Sequence, residues 1–162
     1  MIESGKSTFM AASFKAGIAQ RELPAYSGLD LSGYGLRVQP CTGVRDAVSV
    51  TALALESDAV LLVLISADAL GFAIDVADQV RGKIAAAARQ IGGWKEIQIC
   101  LAATHSHAAP ASMNLRECGN VDPQWLENAC EVISQTALES VNNLQPSRFG
   151  AGQVDVPGVS LN

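Results

Sequence analysis

Three consecutive segments of this sequence follow the order strand, helix, strand. Residues 60–66 are a run of Val, Leu and Ile that ends in serine, which is typical of a strand buried on both faces. Residues 72–91 carry apolar side chains at helical spacing, and Gly92 and Gly93 terminate the pattern. A second apolar run, residues 97–102, follows and predicts another buried strand. Because a helix that connects two neighbouring strands makes them parallel, these segments predict a βαβ unit.

Further strands and one more helix are predicted on both sides of this unit. The strands alternate apolar with polar residues or lie beside a tight turn; they are residues 13–21, 48–56 and 148–156. The second of these makes an antiparallel hairpin with residues 60–66. The helix begins at Asp122 and Pro123, an N-cap residue and a first-turn proline. The sequence therefore predicts an α/β fold, with a mixed β-sheet, flanking helices and one βαβ crossover.

The two histidines of the chain stand one residue apart, directly after the strand predicted at residues 97–102. They occur in the segment Thr104-His105-Ser106-His107, which stops at Pro110. If this segment stays extended, both imidazoles leave the same face with Cα atoms roughly 6.5–7 Å apart. Neutral imidazole is a zinc ligand, and a catalytic zinc keeps one position open for water. One histidine can thus hold a metal while the other faces a substrate. The alternative is a pair of polar residues that merely closes a strand, with one of them satisfied by backbone carbonyls.

Two other metal motifs also contain a His-x-His pair. The His-x-His-x-Asp-His pattern of metallo-β-lactamase-like hydrolases needs Asp and His where this chain has Ala109 and Pro110, so that interpretation fails. An amidohydrolase barrel carries His-x-His at the end of its first strand, whereas here several predicted strands precede the pair. That interpretation remains a weaker alternative.

Two further segments are candidates for a site. Asp68 follows the strand at residues 60–66, at the carboxyl end of a core strand, where open α/β sheets bind ligands. It can orient a metal-bound histidine through a hydrogen bond without touching the metal, or serve only as a turn residue. Residues 24–43 form a long glycine-rich loop that contains Gly33-Tyr34-Gly35. These glycines permit either strained turns or close approach to a substrate, and both interpretations stay open.

Charge and hydropathy exclude several classes of partner. The net charge of −5 comes without a basic stripe, which argues against nucleic-acid or anionic-membrane binding. The longest apolar run, residues 59–65, is too short for a transmembrane segment, and no apolar leader follows the N-terminus. We therefore expect a protein without a signal peptide, soluble and cytoplasmic by default.

Two other patterns have structural rather than functional interpretations. The four cysteines show no Cys-x-x-Cys spacing, and Cys100 falls in a predicted buried strand, so free and mostly buried thiols are expected. The segment Gly5-Lys6-Ser7-Thr8 is similar to the end of a P-loop but lacks the earlier glycine and the preceding strand. It does not predict a phosphate site.

Several motifs occur along the chain in a recognisable order. They are Phe14-Lys15-Ala16-Gly17-Ile18-Ala19, Gly33-Tyr34-Gly35, Gly43-Val44-Arg45-Asp46, Ser66-Ala67-Asp68, Thr104-His105-Ser106-His107-Ala108-Ala109-Pro110 and the tail at residues 150–162. This order resembles the N-terminal portion of the neutral/alkaline non-lysosomal ceramidase family, over nearly the whole chain from Phe14 onward. On this interpretation, residues 1–12 are an N-terminal tail and residues 13–162 are a truncated, ceramidase-like α/β region.

The resemblance implies an activity and a cofactor. Members of that family are zinc hydrolases that cleave the N-acyl amide of ceramide to sphingosine and a fatty acid, which belongs to sphingolipid metabolism. By resemblance, His105 is a zinc ligand, and His107 lies beside the reacting amide as a catalytic or substrate-contacting residue. Zinc lowers the pKa of bound water to about 7 and polarises an amide carbonyl, and a neighbouring imidazole can stabilise an oxyanion or protonate a leaving amine.

The chain also departs from the family pattern. Typical ceramidases carry glycine where this chain has Ala109 before Pro110 and Ala111-Ser112 after it. The substrate is therefore either ceramide or another lipid-like or small amide. The family completes its zinc site with a histidine, a glutamate and a tyrosine from far downstream. We therefore expect an incomplete part of a larger catalytic domain, with the remainder downstream, that by itself binds zinc weakly and turns over little or no substrate. A non-catalytic binding or structural module is the rival interpretation.

Overall fold

The computed structural model of the protein describes residues 14–156 and residue 158. These residues contain five strands and two α-helices, which are β1 (Lys15–Glu22), β2 (Ser49–Ser57), β3 (Val60–Ala67), α1 (Ile74–Ile91), β4 (Glu96–Ala103), α2 (Pro123–Asn142) and β5 (Gln145–Pro146). The strands form one mixed sheet in the order β4-β3-β2-β1-β5. Buried side chains of β2, β3 and both helices join in one apolar core. The fold is therefore α/β, with both helices packed on the same face of the sheet.

The predicted βαβ unit is confirmed. Strands β3 and β4 are parallel and pair from Val60 opposite Glu96 to Ala67 opposite Ala103. Helix α1 connects them and buries Val80, Ile84 and Ala88 among other residues, which recur at the spacing of one helix face. The helix ends before Gly92, whose N–H donates to the carbonyl of Ala88. This crossover places the carboxyl ends of β3 and β4 side by side.

The predicted hairpin and first strand are also confirmed, with ends shifted by a residue or two. Strand β2 pairs antiparallel with β3 across a turn in which Asp58 has a φ of 53°. On its other edge β2 pairs antiparallel with β1. The predicted start of β1 at Ser13 lies outside the described residues, as does the P-loop-like segment Gly5-Lys6-Ser7-Thr8.

Helix α2 begins as its capping residues predict. Asp122 Oδ1 accepts a hydrogen bond of 2.8 Å from the N–H of Trp125, which pairs one of the free donors of the first turn. The indole of Trp125 is buried, and its Nε1 donates to the carbonyl oxygen of Pro24 at 2.6 Å. Farther along, Gly17 of β1 lies against the backbone of Ser140, so the C-terminal end of α2 packs closely on the sheet.

Strand β3 is buried on one face only, so the prediction of burial on both faces is wrong. Leu61, Val63 and Ile65 face the helices, whereas Val60 and Leu64 are 36% and 38% exposed. Both helices lie on one side of the sheet, and no other element of the described residues covers the opposite side. An unbroken apolar run shows only that the residues of a strand are apolar. Whether the strand is buried depends on which layers pack on it.

Strand β4 is an edge strand, so the prediction that it is buried is also wrong. Among the described strands only β3 pairs with it, and its residues alternate between exposed and half-buried. Cys100 is consequently exposed. All four cysteines are free thiols as predicted, but Cys41, Cys118 and Cys130 are half-buried rather than buried.

The strand predicted at residues 148–156 is not formed. After α2, the described part of the chain pairs with β1 only through β5, which has two residues, and then continues without regular structure to residue 156. Val154 and Val156 of that segment are exposed, because the segment has no neighbouring strand or layer to bury its alternating apolar side chains. Within the described residues, neither helix has the length and apolar character that crossing a bilayer requires.

Candidate functional site

The loop after β4 runs beside the segment after β3. Thr104 N–H donates to the carbonyl of Ala67, and Ser106 N–H donates to the carbonyl of Ala69, each at 3.0 Å. Between these two bonds, His105 has a φ of 61°, a backbone conformation that histidine tolerates better than most residues. The chain therefore turns at His105, and the expected extended course through both histidines is wrong.

The two imidazoles nevertheless lie together. Their ring centroids are 5.0 Å apart, and the planes of the rings meet at 70°. The turn at His105 brings the rings edge to face, which a straight strand does not do. The structure thus confirms that the two imidazole rings lie next to each other, although the backbone geometry that brings them together differs from an extended strand.

The tautomer of His105 follows from its hydrogen bond. Nδ1 lies 2.9 Å from the carbonyl oxygen of Leu70, and a carbonyl oxygen can only accept. Nδ1 therefore carries the proton of the neutral ring, and Nε2 keeps its lone pair. Metal-binding histidines commonly donate their second ring N–H to a backbone carbonyl in this way, which fixes the ring and raises its basicity.

The loop that contains Gly33, Tyr34 and Gly35 lies against His107, at its Gly33 end. A Cβ atom on Gly33 would lie 2.4 Å from Cγ and from Nδ1 of His107, and the φ of Gly33 is 101°. The ring of Tyr34 meets the ring of His107 edge to face, with centroids 4.9 Å apart. A Cβ atom on Gly35 would lie 3.6 Å from the Glu117 carbonyl oxygen and would have no atom of His107 within 4 Å. Gly33 and Tyr34 are thus at the site, whereas Gly35 borders it.

Arg37 fastens this loop to the histidine segment. Its Nη1 donates to the carbonyl oxygen of His107 at 2.9 Å, and its guanidinium group lies 4.9 Å from the ring centroid of Tyr34. This geometry combines a charge-assisted hydrogen bond with a cation–π contact. The sequence did not single out Arg37, because its partner is a backbone carbonyl 70 residues away and no motif marks such a contact.

Asp68 forms a hydrogen-bond network with two hydroxyl residues. Oδ2 accepts from the N–H of Ser49 at 2.9 Å and from its hydroxyl at 3.0 Å, and Oδ1 accepts from the hydroxyl of Thr104 at 3.0 Å. Partial burial raises the pKa of Asp68, but these three hydrogen bonds outweigh it and hold the pKa below its ordinary value of 3.8. The carboxylate joins the ends of β3 and β4 to the start of β2. Asp68 makes no hydrogen bond to His105, whose Nδ1 donates to Leu70 instead, so the structure does not bring this carboxylate to the histidine that it was expected to orient.

A cleft of about 550 Å³ opens on the other side of the histidine loop. Asp68, Thr104, Ser106 and Pro110 line it, together with residues of the segment from Tyr26 to Val48. The two histidines are not among its lining residues. The loop therefore has one side that carries the imidazoles and another that carries hydroxyl groups into a cleft of a size typical for small ligands.

The described residues fit zinc in part. His105 presents a free Nε2, as a zinc ligand requires. However, in residues 14–156 no group of three or more His, Cys, Asp and Glu side chains converges as a metal site. These residues thus offer one prepared imidazole, with a second close by, and not a complete ligand set.

The fold and the site together define an α/β domain that carries a histidine pair at the carboxyl edge of its parallel strands. No protein-family profile matches the chain, and no curated protein matches it by sequence. Among solved structures, the chain is similar to the crystal structure of neutral ceramidase from Pseudomonas aeruginosa and to a ceramidase complexed with C2. Each comparison has a TM-score of 0.69 at 20% identity and covers 82% of this chain but 22% of the other. This likeness confirms the α/β fold and shows that it is ceramidase-like.

Proposed function

We propose that this chain is the histidine-bearing part of a zinc-dependent amide hydrolase similar to neutral ceramidase. The ceramidase-like fold supports the hydrolase class, and the Thr-His-x-His segment stands at the carboxyl end of a parallel strand, where α/β sheets bind ligands. The observation that carries the proposal is the hydrogen bond between His105 Nδ1 and the Leu70 carbonyl. It fixes the His105 ring and leaves the lone pair on Nε2, as a metal ligand requires.

Each residue of the site has a separate role in this proposal. His105 would hold the metal through Nε2, and residues outside the described part would supply the remaining ligands. Zinc held there would lower the pKa of a bound water and polarise a carbonyl. His107 contacts the substrate amide and hydrogen-bonds the oxygen or nitrogen that gains charge or a proton. Gly33 and Tyr34 hold the His107 ring in place, and the substrate is a lipid-like or small amide.

The test compares this chain with a longer version that continues past Asn162. We expect the longer protein to hold zinc and to hydrolyse an N-acyl amide, and the 162-residue chain to hold little zinc and to turn over little or no substrate. In the longer protein, His105→Ala removes zinc and activity together. His107→Ala retains zinc and lowers kcat by about 10²-fold or more, as loss of an acid–base group does. Equal zinc content and activity in the wild-type protein and His105→Ala would reject the ligand assignment.

A non-catalytic binding module is the second candidate. The observation that favours it is the lack of a three-ligand metal group among residues 14–156. On this interpretation the longer protein also lacks stoichiometric zinc, and His107→Ala changes ligand affinity without any turnover to lose. Zinc content of the longer wild-type protein separates the two functions.

A further inference from the structure

Two side-chain atoms of the described residues are buried without a hydrogen-bond partner, and both belong to the histidine site. They are the hydroxyl oxygen of Ser32 and Nδ1 of His107. Ser32 is 0% exposed, so its hydroxyl has no access to bulk water. Buried polar atoms are almost always paired in native proteins. Because both unpaired atoms belong to one site, we expect them to hydrogen-bond either to a shared partner or to each other.

The backbone pairing of the two segments places these atoms on neighbouring positions. Leu31 forms an antiparallel bridge with Pro110, and the N–H of Ala111 donates to the carbonyl of Asp30 at 2.8 Å. This register puts Ser32 opposite residue 109, two positions from His107. The next residue, Gly33, touches the His107 ring at Cγ and Nδ1. Ser32 therefore precedes the residue that lies against the buried Nδ1 edge of the His107 ring.

We propose that Ser32 is a positioning residue whose hydroxyl donates a hydrogen bond to Nδ1 of neutral His107. The two atoms are not paired in this structure, so the contact requires a rotation about the single side-chain torsion of serine. The direction of donation follows from the inventory of donors. If Nδ1 were the donor, the buried hydroxyl proton would be left without an acceptor, whereas donation by Ser32 satisfies both atoms. This inference adds to the proposed amide hydrolase. Its catalytic meaning rests on the role that the proposed function gives to His107.

The consequence is that the two histidines hold their protons on opposite nitrogens. His105 keeps its proton on Nδ1, toward Leu70, and presents a lone pair at Nε2. His107 accepts at Nδ1 and presents an N–H at Nε2. One ring is then prepared as a ligand and the other as a hydrogen-bond donor to a carbonyl oxygen that gains negative charge. Ser32 therefore decides which chemistry the second imidazole offers.

Nuclear magnetic resonance of the ¹⁵N-labelled chain tests this directly. The chain has two histidines, and a His107→Gln variant assigns their signals. At about pH 8.5, neutral imidazole prevails. Correlations between the carbon-bound protons and the nitrogens of each ring then distinguish the two tautomers. We expect the proton on Nδ1 in His105 and on Nε2 in His107, with the His107 Nδ1 resonance shifted as in a hydrogen-bonded acceptor.

Variants provide the matched comparison. Ser32→Ala should move the His107 Nδ1 resonance to the position of an unbonded nitrogen, and Ser32→Thr should restore it. Ser112→Ala is the control, because Ser112 is a buried serine near the same loop whose hydroxyl donates to the Gly71 carbonyl at 2.6 Å, and it should leave the resonance in place. If Ser32→Ala does not fold, the wild-type and Ser32→Thr spectra decide alone.

Two results would overturn the inference: a proton on Nδ1 of His107 in the wild-type chain, or an unchanged Nδ1 resonance in folded Ser32→Ala. Neither depends on catalysis, so the outcome is separate from that of the proposed function. In the longer, active protein, Ser32→Ala should lower kcat while zinc content and KM stay near those of the wild-type protein. A kcat equal to that of the wild-type enzyme also contradicts the positioning role.

Discussion

Nδ1 of His105 lies 2.9 Å from the carbonyl oxygen of Leu70, a residue 35 positions earlier in the chain. The β3–α1–β4 crossover makes this contact possible, since it brings the segments that follow the two parallel strands side by side. Because the acceptor is a backbone atom, the tautomer of His105 depends on the path of the chain and not on the side chain at position 70. The fold therefore prepares this histidine before any ligand arrives.

We predict that the His107 ring can keep its position only because residue 33 is glycine. Gly33→Ala should lower the free energy of unfolding by about 1–3 kcal/mol, because alanine at a positive φ is strained and its Cβ would lie 2.4 Å from the ring. Chemical denaturation measures the loss, and the ring signals of His107 should shift. Gly28→Ala is the control, since Gly28 has a φ of 96° and open space around it. Equal effects of the two substitutions would show that strain alone, and not contact with His107, explains the result.

Arg37 is predicted to stabilise the contact between the two loops of the site. Arg37→Met removes the hydrogen bond to the His107 carbonyl and the cation–π contact with Tyr34, and should cost about 1 kcal/mol of stability. Amide hydrogen exchange should become faster in both loops. Arg116→Met, at a side chain that is 94% exposed, should change neither quantity. Unaltered exchange in Arg37→Met would mean that the contact does not hold the loops together.

Asp68 is predicted to make the stability of the protein depend on pH in the acid range. Its pKa is lower in the folded chain than its ordinary value of 3.8, so its hydrogen bonds stabilise the fold above about pH 4, and this stabilisation is lost as the pH falls through the folded pKa. Asp68→Asn should lower the free energy of unfolding by about 1–2 kcal/mol at pH 7.

The difference between wild-type protein and Asp68→Asn should shrink toward zero as the pH falls from 7 through the lowered pKa of Asp68 in the folded chain, because wild-type Asp68 then becomes protonated itself. Denaturation curves across this pH range measure it. Asp46→Asn is the control in the same cleft, because Asp46 is 91% exposed, and it should show little effect at any pH. A difference that is constant with pH would contradict the prediction.

Gly17 is predicted to set the distance between β1 and α2. Its Cβ would lie 2.2 Å from the Ser140 carbonyl oxygen and 2.7 Å from the carbonyl carbon of Asn143, both backbone atoms. Gly17→Ala should therefore cost about 2–3 kcal/mol or more, since the helix must move away from the sheet. Gly82→Ala, in the middle of α1 with open space where its Cβ would stand, should instead stabilise the protein by about 0.5–1 kcal/mol. Thermal or chemical unfolding of the two variants measures both changes in stability, which should be opposite in sign.

Local patterns predicted most elements of the fold correctly. The hairpin of β2 and β3, the crossover to β4 and the capped start of α2 each depend on residues close in sequence. The strand expected at residues 148–156 is not formed, because an alternating pattern forms a strand only beside a partner, and in the described residues after α2 only residues 145–146 pair with β1. The burial of β3 and β4 was overestimated for another reason, since burial depends on the layers that pack on a strand and not on the residues of the strand alone.

The site was predicted less completely than the fold. The sequence pointed to His105, His107, Asp68 and the loop of Gly33 and Tyr34, and the structure brings the histidines and that loop into contact. It did not point to the Leu70 carbonyl, because any residue supplies one. Ser32 and Arg37 were missed for a similar reason, as their meaning depends on the segment that lies opposite.

The sequence by itself determined which residue types are available and which short segments become strands and helices, since periodicity, caps and turns act over a few neighbouring residues. Only the tertiary structure decided which face of the sheet is covered, where the chain turns at His105, and which atoms meet the two imidazoles. Those outcomes depend on contacts between segments tens of residues apart, and the hydrogen bond of His105 to Leu70 is formed only when the crossover is complete.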